Sequence, residues 1–201
     1  LFFVLRLPSL FEPLWYGDEG INQVIGTSLN HGKLLYAEVF DNKPPLLYWL
    51  YSILQSDQFT IRLISLIFGA FSVTTFFLLS KKLFKNEANK NFTFLTTFVF
   101  AILFGLPALE GNIANAENFM LLPIIVAALL ISNARSQMLD LKWLVAGLLL
   151  GIAFLFKIVA IFDFAAFFVF LFISNLNSLK KHVRFTFIIV GFFLPIVIVA
   201  L

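Results

Sequence analysis

Long uncharged stretches alternate with short basic ones along most of the chain. Leu63 to Ser80 carries no charge and is closed by Lys81-Lys82. Phe92 to Leu109 is uncharged, with Pro107 near its end, and Asn118 to Ala134 runs uncharged into Arg135. Trp143 to Phe156 is shorter and stops at Lys157, Ile158 to Asn175 contains only Asp163, and Phe185 to Leu201 has no charge at all. A helix needs roughly 20 mostly apolar residues to cross a bilayer core. The pattern therefore predicts spans near 61–80, 92–109, 118–134, 143–157, 158–174 and 185–201. Residues 1–14 hold Arg6 and Glu12 and read as the tail of a further span whose beginning is missing. The expected fold class is all-α: a polytopic transmembrane helical bundle forming the N-terminal part of one larger domain over 1–201, the C-terminal remainder absent.

Separating 143–157 from 158–174 requires a reversal near Lys157, where there is no Gly or Pro to turn on. Without it, 143–174 would form one helix of about 48 Å, too long for a bilayer. Composition agrees with the span pattern. The chain is 61% apolar and only 12% charged, with a mean hydropathy of +0.98; soluble domains carry about 25% charged residues. A water-soluble globule is excluded, and the absence of Cys excludes disulfides, thiolate metal sites and a Cys nucleophile. The net charge of +3 matters less than its placement. Lys81, Lys82, Lys85, Lys90, Arg135, Lys142, Lys180, Lys181 and Arg184 crowd three short loops, opposed only by Glu87 and Asp140. By the positive-inside rule those loops face the cytoplasm. Segments 11–60 and 107–117 then face outward, with Glu12, Asp18, Glu19, Glu38, Asp41, Asp57, Glu110 and Glu117. The sequon Asn91-Phe92-Thr93 falls on the cytoplasmic side and carries no functional weight.

The outer loop, 11–60, is long for a connection, and such loops are usually functional. Ile21, Val24, Ile25 and Leu29 recur at helical spacing between polar residues, which predicts an amphipathic helix along the membrane surface. Asp18 stands where an N-cap belongs, and Asn30-His31-Gly32 closes the helix. A second segment, Pro44 to Leu54, carries Tyr48, Trp49 and Tyr51, aromatics suited to the headgroup layer. On the residues alone, Asp18 reads as a helix cap, and Asp41 and Lys43 as a solvated turn. The cap reading is compatible with chemistry, because a helix N-terminus keeps a carboxylate ionised, and an ionised, positioned carboxylate is what a general base needs. Lys157 reads either as a lysine snorkelling from a helix end or as a cation at lipid-phosphate depth; Glu117 reads as a helix terminator or a pocket acid. Asp163 has no account. His31 and His182 lack metal-ligand spacing.

Trp15-Tyr16-Gly17-Asp18-Glu19-Gly20, Gly32-Lys33-Leu34-Leu35-Tyr36 and Asp41-Asn42-Lys43-Pro44-Pro45-Leu46-Leu47-Tyr48 stand in order in this loop. They are followed by Ile61-Arg62-Leu63-Ile64-Ser65, by Ala116-Glu117-Asn118, and by the run from Gly147 to Lys157. The ordered set resembles the GT-C-type glycosyltransferases of the protein O-mannosyltransferase and aminoarabinose-transferase superfamily. That resemblance implies transfer of a sugar from a polyprenyl-phosphate donor to a lipid, glycan or protein acceptor, with inversion. It places the enzyme in the bacterial inner membrane, in contact with membrane lipids, its site on the periplasmic face, and implies no nucleic acid partner. By position it makes Asp18 the base or acceptor-positioning carboxylate, with Glu19 beside it. Lys43, near the carrier phosphate, and Asp41, Lys157, Glu117 and Tyr36 then serve donor or substrate binding. The aminoarabinose transferases place Glu directly before this Lys, whereas this chain has Asn42 there and Asp41 one residue earlier, which leaves a divalent metal ion at this spot an open possibility and no cofactor certain. The rival reading from another class is a transporter or flippase of lipid-linked sugars, and a third is a non-catalytic membrane subunit.

Overall fold

The computed structural model describes residues 1–84, 90–132, 141–174 and 181–201, all of whose regular elements are helical. Lys85, Glu87, Arg135, Asp140 and Lys180 of the expected basic loops lie outside the described residues. Nine α-helices are described: α1 (Phe2–Arg6), α2 (Gly17–Asn30), α3 (Leu46–Ile53), α4 (Gln58–Leu83), α5 (Lys90–Gly105), α6 (Ala116–Ile131), α7 (Leu141–Phe156), α8 (Ala160–Ser174) and α9 (Lys181–Ala200). Short 3-10 turns occupy Leu7–Leu10 and Pro107–Leu109. Two stretches, Gln58–Leu83 and Val183–Ala200, are long and apolar enough to cross a membrane, and four further apolar helices are shorter.

Local chemistry sets the ends. Asp57 caps α4 by accepting a hydrogen bond from Thr60 N at 2.8 Å, and Lys81 and Lys82 lie in its last turn, where cations oppose the helix dipole. The expected span 92–109 is cut at Gly105, because the residue before a proline avoids helical geometry and Leu106 is extended ahead of Pro107. Within 1–14 the chain is α-helical over Phe2–Arg6 and continues as a 3-10 turn over Leu7–Leu10, with Pro8 in its first turn.

The chain does reverse after α7. Backbone bonds Ala160 N to Lys157 O, Ile161 N to Ile158 O and Phe162 N to Val159 O form successive tight turns, so neither Gly nor Pro is needed. Aromatic contacts give the directions. Phe164 of α8 stacks on Phe192 of α9 at 4.1 Å, while Phe168, one turn further on, packs against the earlier Phe185 at 4.7 Å; α8 and α9 are antiparallel. Helices α7 and α9 run parallel and touch through backbone. A Cβ at Gly147 would fall on Ile188 O, one at Gly151 on Phe192 O, and one at Gly191 on Leu144 O. This is the small-residue spacing that lets membrane helices approach closely. A core of Ile124, Ala127, Trp143, Leu150, Ile188 and Phe192 joins α6, α7 and α9.

Helices α2 and α3 pack against each other, again through a glycine: a Cβ at Gly26 would stand 2.8 Å from Tyr51 Cβ and 3.0 Å from Ser52 N. Two details depart from expectation, the cap of α2 and the burial of Tyr48 and Tyr51. The N-cap of α2 is the extended Tyr16, and Asp18 is the second helical residue. The buried face of α2 is Glu19, Asn22, Ile25 and Gly26, with Ile21 and Val24 exposed; Glu19 finds its partners on α4 and in a distant loop. Tyr48 and Tyr51 are fully buried, and only Trp49 of that aromatic group is exposed. The C-terminal end follows the expected pattern: His31 is the C-cap and Gly32 takes φ +82°, the left-handed geometry glycine adopts freely.

Candidate functional site

An apolar floor made of Leu47 and Tyr51 from α3, Ile61 from α4, Ala114, Ala116 and Phe119, and Phe156 at the end of α7 lies under the site. Phe119 stacks on Phe156 at 5.6 Å and meets Phe68 edge-on at 5.3 Å. The residues that follow these anchors in sequence, Glu117 after Ala116 and Lys157 after Phe156, form an ion pair between the start of α6 and the end of α7. Oε2 of Glu117 has no hydrogen-bond partner among the described residues.

A second ion pair is built by the outer segment. Lys43 Nζ donates to Asp18 Oδ2 at 2.8 Å, with the lysine side chain 18% and the aspartate 43% exposed. The backbone around Lys43 is held from both sides. Tyr36, itself at φ +68°, donates its hydroxyl to Lys43 O at 2.7 Å, and Tyr48 donates to Asp41 Oδ2 at 2.6 Å. Asp41 Oδ1 accepts from Asn42 N. Burial, then the Asp41 carboxylate, pushes the Tyr48 hydroxyl far up, so it acts as a donor; burial also raises Tyr36. Asp41 is thus a bonded strut of the turn rather than a free acid.

Glu19 faces away from Asp18. It is buried and gripped by Arg62 of α4: Nε to Oε1 at 2.9 Å and Nη2 to Oε2 at 2.6 Å. Arg62 also donates through Nη1 to Ser9 O and Glu12 O. Arg6, the other buried arginine among the described residues, donates to Ser65 of α4 at 2.9 Å and stands within electrostatic reach of Glu19 and Arg62. Glu19 Oε1 further accepts from Ala114 N at 3.2 Å, and Tyr51 donates to Ala114 O at 3.0 Å. Residues 111–116 are buried and mostly non-helical, so their backbone groups need such partners. The Glu19 and Tyr51 side chains thereby fix the stretch that carries Glu117.

Sequence reasoning missed Tyr16 and Glu110 as a pair. Tyr16 donates to Glu110 Oε1 at 2.8 Å, and this bond, ahead of burial and the charges of Glu110, Asp18 and Glu117, pushes its hydroxyl up to about 12. Tyr16 therefore sits within electrostatic reach of both ion pairs. The two residues are 94 apart in sequence, and Glu110 holds left-handed backbone, φ +59°, so no periodicity announces the contact. Arg62 was visible as a charge at the start of an apolar run.

Asp163 lies apart, lining a cleft of about 320 Å³ with Leu79, Ala128 and Phe167, which includes none of the paired residues. Among the described residues, no three His, Asp or Glu side chains come together in a way that could hold a metal ion.

Helical packing around two lysine–carboxylate pairs at one end is the setting in which likeness to known proteins gains meaning. Residues 42–201 match the family described as dolichyl-phosphate-mannose-protein mannosyltransferase, and the chain belongs to that family. Lys43, Glu117 and Lys157 fall inside the matched segment, and Asp18 and Glu19 precede it. An undecaprenyl phosphate-alpha-4-amino-4-deoxy-L-arabinose arabinosyl transferase of Wigglesworthia glossinidia brevipalpis is 27% identical over 194 residues, which cover 89% of this chain and 34% of that protein. The chain thus spans about a third of that relative's length. No solved structure matches it.

Proposed function

We propose that this chain carries the sugar-transfer site of an integral membrane glycosyltransferase that uses a polyprenyl-phosphate-linked donor and an acceptor outside the cytoplasm. Helices α4 to α9 are read as a polytopic bundle in the bacterial inner membrane, with α2, α3 and both ion pairs at its periplasmic end. The observation that carries the reading is the Lys43–Asp18 contact, which joins residues 25 apart in sequence at the end of the molecule where Glu117 meets Lys157. In the proposed reaction an acceptor oxygen attacks the anomeric carbon and Asp18 takes its proton. The bond to the phosphate oxygen breaks with its electron pair, and Lys43 and Lys157 stabilise the departing phosphate by charge-assisted contacts. Because the phosphate is already a good leaving group, no second carboxyl need protonate it. Glu19 serves here by positioning α2. Glu117 and Asp41 shape the pocket, and Tyr36 steadies the Lys43 backbone.

The test is incubation of the full-length protein, in membranes, with radiolabelled polyprenyl-phosphate sugars, wild type beside Asp18→Asn. Label that reaches an acceptor in the wild type and not in the folded variant supports the assignment. Undiminished transfer by Asp18→Asn would sink it, and label that only crosses the bilayer, equally in both proteins, would establish a transporter instead.

A further inference from the structure

We infer that the Asp18–Lys43 ion pair is an exchange latch: the donor phosphate takes Lys43 away from Asp18, and only then is the Asp18 carboxylate free to receive the acceptor's proton. This rests on the proposed function and adds an order of events, donor before acceptor. Three observations carry it. The oxygen Oδ2 of Asp18 is occupied by Nζ at 2.8 Å, so the group assigned to proton transfer starts out engaged. The backbones at both ends are fixed: Lys43 by the Tyr36 bond to its carbonyl and by the Tyr48–Asp41 bond two residues earlier, and Asp18 by the neighbouring Glu19–Arg62 pair. The exchange is therefore a side-chain movement within a rigid frame, which suits a long, flexible lysine stem. Finally, Asp18 is the more open partner, 43% against 18% exposed, so an approaching acceptor reaches the carboxylate directly once the ammonium has turned away.

The charges balance through the cycle. A phosphodiester donor brings one negative charge, which replaces Asp18 as the counter-charge of Lys43. Transfer moves the acceptor's proton to Asp18 and leaves the carrier as a phosphate monoester, more negative than the donor, still held by Lys43. Loss of the proton from Asp18 to water restores its charge, and the carboxylate then competes for Lys43 and helps expel the spent carrier.

The latch makes a counter-intuitive forecast, because a residue that competes with a ligand strengthens binding when removed. The experiment measures binding of undecaprenyl phosphate in detergent to the full-length protein, for wild type, Asp18→Asn, Lys43→Gln and the double variant. Thermal melting confirms that each is folded, and Asp18→Ser replaces Asp18→Asn if the latter is not. Asp18→Asn should bind about 5-fold more tightly, the equivalent of the roughly 1 kcal/mol that a partly exposed pair is worth. Lys43→Gln should bind at least as much more weakly, and the double variant should match Lys43→Gln, since without the lysine there is nothing to compete for. Unchanged or weaker binding by Asp18→Asn, with Lys43→Gln still weakened, overturns the latch and leaves the proposed function standing. Unchanged binding by Lys43→Gln overturns both, since the phosphate then does not use that lysine.

Discussion

Two consecutive carboxylates open α2, and the turn of roughly 100° per residue about a helix axis sends them into different surroundings. Asp18 reaches a half-buried lysine at the rim; Glu19 reaches a buried guanidinium in the interior. A buried charge left without its partner typically costs 3–5 kcal/mol. Glu19→Gln should therefore lower the thermal stability of the purified protein by about 3 kcal/mol, whereas Asp18→Asn should leave it within about 1 kcal/mol. Tyr16 adds a pH signature. Its folded-state pKa, about 12, lies above the ordinary value of 10, so its contribution is fully present below pH 10 and fades as pH rises toward 12. Wild type should lose melting temperature over that interval more steeply than Tyr16→Phe, and identical slopes would refute the bond to Glu110. The adjacency of Asp18 and Glu19, and the Asp41 to Pro45 run, were legible in the sequence. Their opposite roles were not, because Arg62 lies 43 residues from Glu19 and nothing local says which carboxylate it will meet.

Apolar runs between charges located most helices to within a few residues, because a change from apolar to basic or proline-bearing sequence alters what the backbone can do next. The surface helix at 21–29 was also legible, but its buried face was not. The spacing of Ile21 and Val24 marked an apolar face, but not that the glycine contact at Gly26 and the grip on Glu19 would set the rotation of α2. Glycines likewise decide how α7 meets α9. Substituting Gly147 by Leu should unfold or aggregate the protein in detergent, because even a Cβ there lands on the backbone of α9. The control is Gly17→Ala, where nothing lies within 4 Å of the added Cβ; in a helix it should be neutral or stabilising by up to about 1 kcal/mol. Size-exclusion profiles and melting curves of the two variants distinguish these outcomes, and equal behaviour would refute the close packing.

Across the molecule, the outer segment is no separate cap. It is stitched to α4 by Arg62 to Ser9, Glu12 and Glu19 and by Gln58 to Glu12, and to the stretch ahead of α6 by Asn112 to Glu12. Hydropathy foretold the helices, since each depends on a short stretch of sequence. The stitching depends on pairings across 43 to 100 residues, which no window along the chain contains. The stretch ahead of α6 has a mechanical consequence. Ala114 is held by its amide from α2, through Glu19, and by its carbonyl from α3, through Tyr51, and it lies three residues before Glu117. A tilt of α2 cannot be confined to α2: it pulls on Ala114 and carries the start of α6 with it. Asp18 and Glu117, on different helices and in different ion pairs, are thus yoked to one lever, and the width of the space between them is set by how that lever rests.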